Sequence, residues 1–275
     1  MSKNVDIRIT ILMDNTVRVP RLKAEHGWAA LVEKGPERLL FDTGQSPQFL
    51  ENARLLGIDL TGVSKAVLSH GHYDHSGGLP EFLRLNSRAL VYAHPGVLIT
   101  RFSRPPGETA REIGIPRDGI DARRLVLTSE PVSLFAGCLT TGEIPRGEYD
   151  PASEGHFYED REGSRLDLIG DDQALILESG EGLIVILGCC HSGLKATLDR
   201  VRAITDETSV FMVLGGLHLA DASDRLMEQT ARALREYSVR SIGLSHCTGH
   251  RGSLFLLEEF PGRCFPANTG LKIQV

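Results

Sequence analysis

The chain has little cysteine, no surplus of positive charge and no long apolar run, and each shortage removes a class of function. Five cysteines in 275 residues, two of them the neighbours Cys189 and Cys190, cannot form the disulfide framework of a small secreted domain, so they read as reduced thiols. Thirty Lys plus Arg against 36 Asp plus Glu leave a formal charge of −6, which argues against gripping nucleic-acid backbone. The longest apolar runs, such as Leu183-Ile184-Val185-Ile186-Leu187, fall far short of the roughly 20 residues that cross a bilayer, so no membrane span is expected. The opening Met1-Ser2-Lys3-Asn4-Val5-Asp6 carries charge at once and lacks the apolar core of a signal peptide, so a cytoplasmic protein is expected.

The composition that remains is that of an ordinary globular protein, 41% hydrophobic and 24% charged, which excludes disorder. A single domain over 1–275 is expected. Short β-branched runs bounded by Gly, Pro, Asp or Asn predict strands near 7–13, 28–32, 38–41, 66–69, 89–93, 124–128, 174–178, 183–187, 210–214 and 241–245. Many are continuously apolar and so read as buried on both faces. Helical periodicity marks 47–56, 78–85, 194–204 and 222–237, the last with Leu226, Ala231, Leu234 and Tyr237 on one face. Strand runs mixed with helices predict an α/β protein, with sheets packed face to face and helices outside. Two stretches near 103–119 and 141–164 are rich in Pro, Gly and charge, the second carrying Arg146, Glu148, Tyr149, His156, Phe157 and Tyr158. They read as loop insertions, either a lid over a site or a passive insertion.

The informative segment follows the run Ala66-Val67-Leu68-Ser69. It reads His70-Gly71-His72-Tyr73-Asp74-His75-Ser76-Gly77-Gly78, with four potential metal ligands in six residues. A single loop histidine is usually solvated; a cluster of this density is not explained that way. The glycine between His70 and His72 lets a turning backbone aim both imidazoles at one point, and Asp74 and His75 can serve a second ion close by. Neutral imidazole suits zinc, iron or manganese, and a carboxylate offsets their charge. Three further histidines lie just beyond buried strands, in Gly188-Cys189-Cys190-His191, Gly216-Leu217-His218 and Ser245-His246-Cys247. A strand fixes direction and a loop supplies reach, so such junctions position scattered ligands well. His26, His94 and His156 are weaker candidates, and His94 before Pro95 reads as a hydrogen-bonded strand-end residue.

Through His-Gly-His-Tyr-Asp-His at 70–75 and Phe-Asp-Thr-Gly at 41–44, the chain resembles the metallo-β-lactamase superfamily. Glu-His-Gly-Trp at 25–28, Gly-Cys-Cys-His-Ser-Gly at 188–193, Gly-Gly-Leu-His-Leu at 215–219 and Ser-His-Cys-Thr-Gly at 245–249 are similar to its dihydropterin-ribofuranosylaminobenzene-phosphate synthase-like branch. The resemblance implies an αββα sandwich with metals at one edge. It implies that His70 and His72 hold one metal, Asp74, His75 and His246 a second, that His191 is a further ligand, and that Asp42 orients a histidine. No Gly-Asp follows the strand at 183–187, where many relatives place a bridging aspartate; Cys189, Cys190 or His191 takes that neighbourhood. The site is thus mononuclear, or dinuclear with an unusual bridge.

A divalent metal lowers the pKa of bound water to about 7, so the expected activity is metal-dependent hydrolysis, with zinc as first choice and iron or manganese as alternatives. Asp74 would accept the proton of the water and His218 would donate one to the leaving group. Cationic metals with Arg146, Arg101, Arg104 and Arg251 in or near the loops favour an anionic small molecule such as a phosphate ester. The family name adds a pterin-related synthase as a further role. The rival readings are a diiron-type redox protein and a non-catalytic metal-binding sensor.

Overall fold

The computed structural model describes residues 6–146, 156–207 and 209–275, so the Met1 to Val5 stretch and Glu148 and Tyr149 of the second insertion lie outside the described residues. Two seven-stranded sheets pack face to face. From edge to edge the first runs Lys272–Gln274, Ile7–Met13, Ala29–Lys34, Glu37–Phe41, Lys65–Val67, Leu90–Ala93 and Leu125–Leu127. The second runs Cys264–Pro266, Ser241–Leu244, Val210–Gly215, Gly182–Ile186, Leu175–Ser179, Cys138–Thr140 and Ser133–Phe135.

Side-chain alternation builds the layers. Ile7, Ile9 and Ile11 of the first sheet meet Ile184, Ile186, Leu175 and Leu177 of the second in one dry cluster. Leu183, Val185 and Leu187, on the alternate positions, turn to the opposite face and pack under the helices Leu194–Thr205 and Asp224–Glu236. On the other outer face Leu31, Leu40, Ala66 and Leu68 meet Phe49 and Phe82 of the helices Gln48–Leu55 and Leu79–Leu85. The continuously apolar strands are therefore covered on both sides, and the architecture is the αββα sandwich.

Each of the ten expected strands is present, as are the four helices, with ends shifted by a residue or two. Several elements escaped the pattern. The edge strands Ser133–Phe135, Cys264–Pro266 and Lys272–Gln274 and the inner strand Cys138–Thr140 span only three residues each, too short for an alternation to register. The helix Gly249–Glu259 opens on Gly-His-Arg-Gly, a weak helix-forming start, and is held by packing of Leu256 instead. The two insertions are not free loops where they are described. Phe157–Tyr158 pairs with Phe102–Ser103, which pairs with Arg111–Glu112, in a small third sheet. No described helix is long and apolar enough to cross a membrane.

In each sheet four adjacent strands reaching to one edge run parallel: Glu37–Phe41, Lys65–Val67, Leu90–Ala93 and Leu125–Leu127 in one, Gly182–Ile186, Val210–Gly215, Ser241–Leu244 and Cys264–Pro266 in the other. Their carboxyl ends release Asp42, His70, Cys189, His218 and His246 into successive loops. A crevice outside such strand ends is where open α/β sheets place their ligands.

Candidate metal centre

The loops converge on two donor groups. His70, His72 and His191 form one, and Asp74, His75 and His246 with Cys189 form the other, the donor atoms of each lying within 4.8 Å of one another. Both are buried, and rings of the two groups touch, with His70 and His75 centroids 4.3 Å apart. The His-Gly-His-Tyr-Asp-His segment reaches both groups because it turns from extended backbone at His72 into the short helix Tyr73–Ser76.

Neighbours fix which nitrogen of each ring faces inward. Asp42 Oδ2 takes hydrogen bonds from Ser69 Oγ at 2.7 Å and from His75 Nδ1 at 2.7 Å. The single hydroxyl proton of Ser69 being spent on Asp42, its oxygen accepts from His70 Nδ1 at 2.9 Å. Asn15 Oδ1, an acceptor only, lies 2.9 Å from His246 Nδ1. The Nε2 lone pairs of His70, His75 and His246 therefore all point into the cluster. His75 Nε2 and His246 Nε2 are 3.1 Å apart, and His70 Nε2 is 3.1 Å from His72 Nδ1. For His75 and His246, whose other nitrogens are both committed, contact that close requires a positive charge, a proton or a metal ion, between the rings. The buried His72 Nε2 and His191 Nε2 have no hydrogen-bond partner. The donor set of imidazole, carboxylate and thiol thus fits divalent metal ions.

The electrostatics divide the same way. Burial, reinforced by the neighbouring imidazoles, holds His70 and His191 well below the usual histidine range; burial and then Arg101 take His72 down to about 3. All three are neutral, the form that binds metal. Against the downward push of burial, Asp42 and Asp74 raise His75 to about 9, so without metal its Nε2 carries a proton towards His246 Nε2, the position an ion would take over. Burial opposes ionisation of Asp74, yet His75, His246 and His26 together hold it well below the carboxylate range. The second group therefore attracts positive charge.

Two flanking contacts explain glycines. A Cβ on Gly71 would meet Val97 O at 2.6 Å and Arg101 Nη1 at 2.8 Å, so close approach, rather than a special turn, demands glycine there. Gly27, at φ +146°, lets the backbone pass Asp74 O, which a Cβ would meet at 2.4 Å. Asp42, Cys190, His218 and His246 all adopt left-handed backbone without being glycine, a concentration of strain at one edge of the sandwich.

Of the three residues competing for the neighbourhood beyond the strand at 183–187, Cys189 and His191 enter the donor groups. Cys190 turns away, into the helix-covered core near Thr197. His218 lies beside His191, ring centroids 4.4 Å apart, and its nearest donors are Cys189 and Cys247. His26 is closer to the chemistry than its sequence context suggested: Nε2 is 3.1 Å from Asp74 Oδ2, and the ring stands 5.0 Å from that of His246. His94 is a structural residue whose Nδ1 accepts from Gly96 N. Asp14, Asn15, Ser69 and Asp171 were not singled out in the sequence. Asp14 takes the backbone N–H of His246 and Asp171 that of Gly71, and lone Asx and Ser residues carry no spacing that would have marked them.

The arginines need correction. Arg101 is wholly buried, in contact with Asp171 and Asp167, and faces no substrate. Arg251 pairs with Asp224, and Arg104 bonds the carbonyl of Glu162. Arg146 is the one beside the centre, its Nη1 on His191 O and Nη2 on Ile169 O. The ring of Phe157 stands over His72 at 5.1 Å and His191 at 5.7 Å. Next to it an open pocket of about 520 Å³ is lined by His156, Phe157, His218, Ser103, Asp221 and Cys247.

Known proteins are similar to this chain in sequence and in fold. Residues 22–101 match the metallo-beta-lactamase superfamily. The chain is 31% identical over 255 residues to the 7,8-dihydropterin-6-methyl-4-(beta-D-ribofuranosyl)-aminobenzene-5'-phosphate synthase of Methanocaldococcus jannaschii, a match covering 86% of this chain and 85% of that one. Among solved structures, Tm1679, described as a metal-dependent hydrolase of the β-lactamase superfamily, superposes with a TM-score of 0.82 at 31% identity, covering 98% of this chain and 99% of that one. YhfI of Bacillus subtilis, a metallo-β-lactamase fold protein, shares the fold at a TM-score of 0.61 and 12% identity, covering 98% and 100%. With the sandwich, the two donor groups at its strand ends and a relative at 31% identity over most of both sequences, this chain belongs to the metallo-β-lactamase superfamily.

Proposed function

We propose that the protein is a metal-dependent hydrolase acting on an anionic small molecule, a phosphate ester first. The observation that carries the reading is the inward convergence of the His70, His75 and His246 Nε2 lone pairs, each fixed by a partner on the other nitrogen. His70, His72 and His191 would hold one ion, and Asp74, His75, His246 and Cys189 the other; zinc is the first choice. Such ions supply Lewis acidity, which acidifies water and polarises a phosphoryl or carbonyl oxygen.

The remaining work falls to the protein. Asp74, ionised at rest, would accept a proton from water and pass it to His26. His26, whose side chain is 55% exposed, has its affinity for a proton raised chiefly by its hydrogen bond to Asp74, against the effect of burial. It holds that proton at Nε2 and exchanges it with solvent. Phe157 excludes water from the His72 and His191 face and offers an apolar wall to a ring. His218 lines the pocket, and, against the effect of burial, Cys247 raises its hold on a proton; it would donate one to the leaving group when no ion engages its ring. Five free thiols suit a reducing, cytoplasmic setting.

A second reading is the reaction of the M. jannaschii relative, favoured by the identity over 86% of this chain; the name of that protein also contains a phosphate, so the two readings share a phosphate-bearing ligand. Elemental analysis of purified protein, then a panel of phosphomonoester, phosphodiester, lactone and thioester substrates with metal restored, tests the proposal. Turnover of a phosphate ester that stops on chelation supports it; a metal-replete protein inert to all four classes overturns it.

A further inference from the structure

A third donor group adjoins the two already described. Cys189, His218 and Cys247 present their donor atoms within 4.8 Å of one another. Three loops are tied together to bring them there. Leu219 N and Ala220 N both donate to Cys247 O, at 3.0 and 3.2 Å, and Gly216 N donates to Gly188 O at 2.9 Å. A Cβ on Gly216 would sit 2.5 Å from Cys247 Sγ, so the glycine makes room for the thiol. His218 is held in left-handed backbone at φ +51°, a conformation that a histidine adopts at a cost, and its buried Nδ1 has no hydrogen-bond partner. Cys247 Sγ lies 3.6 Å from Cys189 O, so the thiol and the imidazole are held together by three loops while one buried ring nitrogen of His218 is left unpaired.

We propose that Cys189, His218 and Cys247 form a third cation site, distinct in chemistry from the other two and selective for thiophilic ions. Two sulfurs and one imidazole favour zinc, cadmium or copper(I) over the hard ions that carboxylate and water would take. Donors no more than 4.8 Å apart are spanned by one ion with bonds of about 2.0–2.3 Å once the side chains close on it. Cys189 also belongs to the Asp74, His75 and His246 group, so its sulfur bridges the second and third ions. His218 and Cys247 both line the 520 Å³ pocket, so an ion would reach the three donors from that side. The inference rests on the two-ion reading of the neighbouring centre and adds one ion to it.

Cadmium serves as the probe, on the reduced full-length protein, with metal per chain read by elemental analysis and sulfur ligation by ultraviolet thiolate-to-cadmium charge transfer. Wild type is expected to bind three equivalents. Cys247→Ser and His218→Asn should each bind one fewer, and the Cys247→Ser charge-transfer band should fall by about two-thirds, because of three sulfur–cadmium bonds only that of Cys189 to the second ion remains. An unchanged cadmium count and band in both variants would overturn the third site. Two equivalents in wild type would overturn it while leaving the two-ion centre standing; none at all would remove both. Two variants at different loops guard against a single substitution that fails to fold.

Discussion

His75 Nε2 and His246 Nε2 face each other at 3.1 Å while the other nitrogen of each ring is committed, to Asp42 in one case and to Asn15 in the other. Two acceptors at that distance make sense around a shared positive charge. Asp42→Asn tests the arrangement, since an amide presenting its NH₂ would force the His75 proton to Nε2, into the cluster. Affinity for the second ion should fall about 10- to 100-fold, as measured by competition with a chelator. An unchanged affinity would show that Asp42 does not set the His75 tautomer.

The fold and the first ligands were legible because both leave periodic or clustered signals. Alternating apolar residues located Ile7–Met13 to the residue, and the density of His70, His72, Asp74 and His75 marked the centre. Asp14, Asn15 and Ser69 were not legible. They act over separations of 232, 231 and 27 residues, on His246, His246 and Asp42, and only the closed sandwich brings them there. Arg101 was misread for a related reason: a cation in a loop looks available to an anionic ligand until the fold shows two aspartates around it.

Arg101 is bound to both Asp167 and Asp171, all three buried, and Asp171 also receives the N–H of Gly71 between the two metal-facing histidines. Arg101→Met leaves two buried carboxylates without their counter-charge. A loss of about 3–5 kcal/mol is expected in urea unfolding. A loss below about 1 kcal/mol would mean that the pair is not a structural support of the His70 loop.

Asp172 gives a pH signature. Burial pushes its carboxyl up to about 6, against an ordinary value of 3.8, despite the Ser192 N–H at 2.7 Å. The folded state therefore binds the proton more tightly than the unfolded one. Its contribution to stability is present in full below about 3.8 and is lost as pH rises through about 6. In chelated protein, wild type should lose on the order of 3 kcal/mol more than Asp172→Asn between those limits. Parallel pH profiles from urea unfolding of the two proteins would refute this.

Phe157→Ala separates substrate binding from metal binding. Its ring touches His72 and His191 from the pocket side without offering a donor atom. Metal content should stay at the wild-type level while KM for a ring-bearing phosphate ester rises about tenfold, the equivalent of ~1.4 kcal/mol of lost contact. A fall in bound metal with KM unchanged would make the ring a structural cover only.

The most direct test is metal content and phosphate-ester turnover measured together on His70→Ala and Asp74→Ala, one from each donor group. Each variant should lose about one equivalent of metal and turnover by at least about a thousandfold, while unfolding cooperatively like wild type. Full activity in either variant, at wild-type metal content, would contradict a centre built on these two groups.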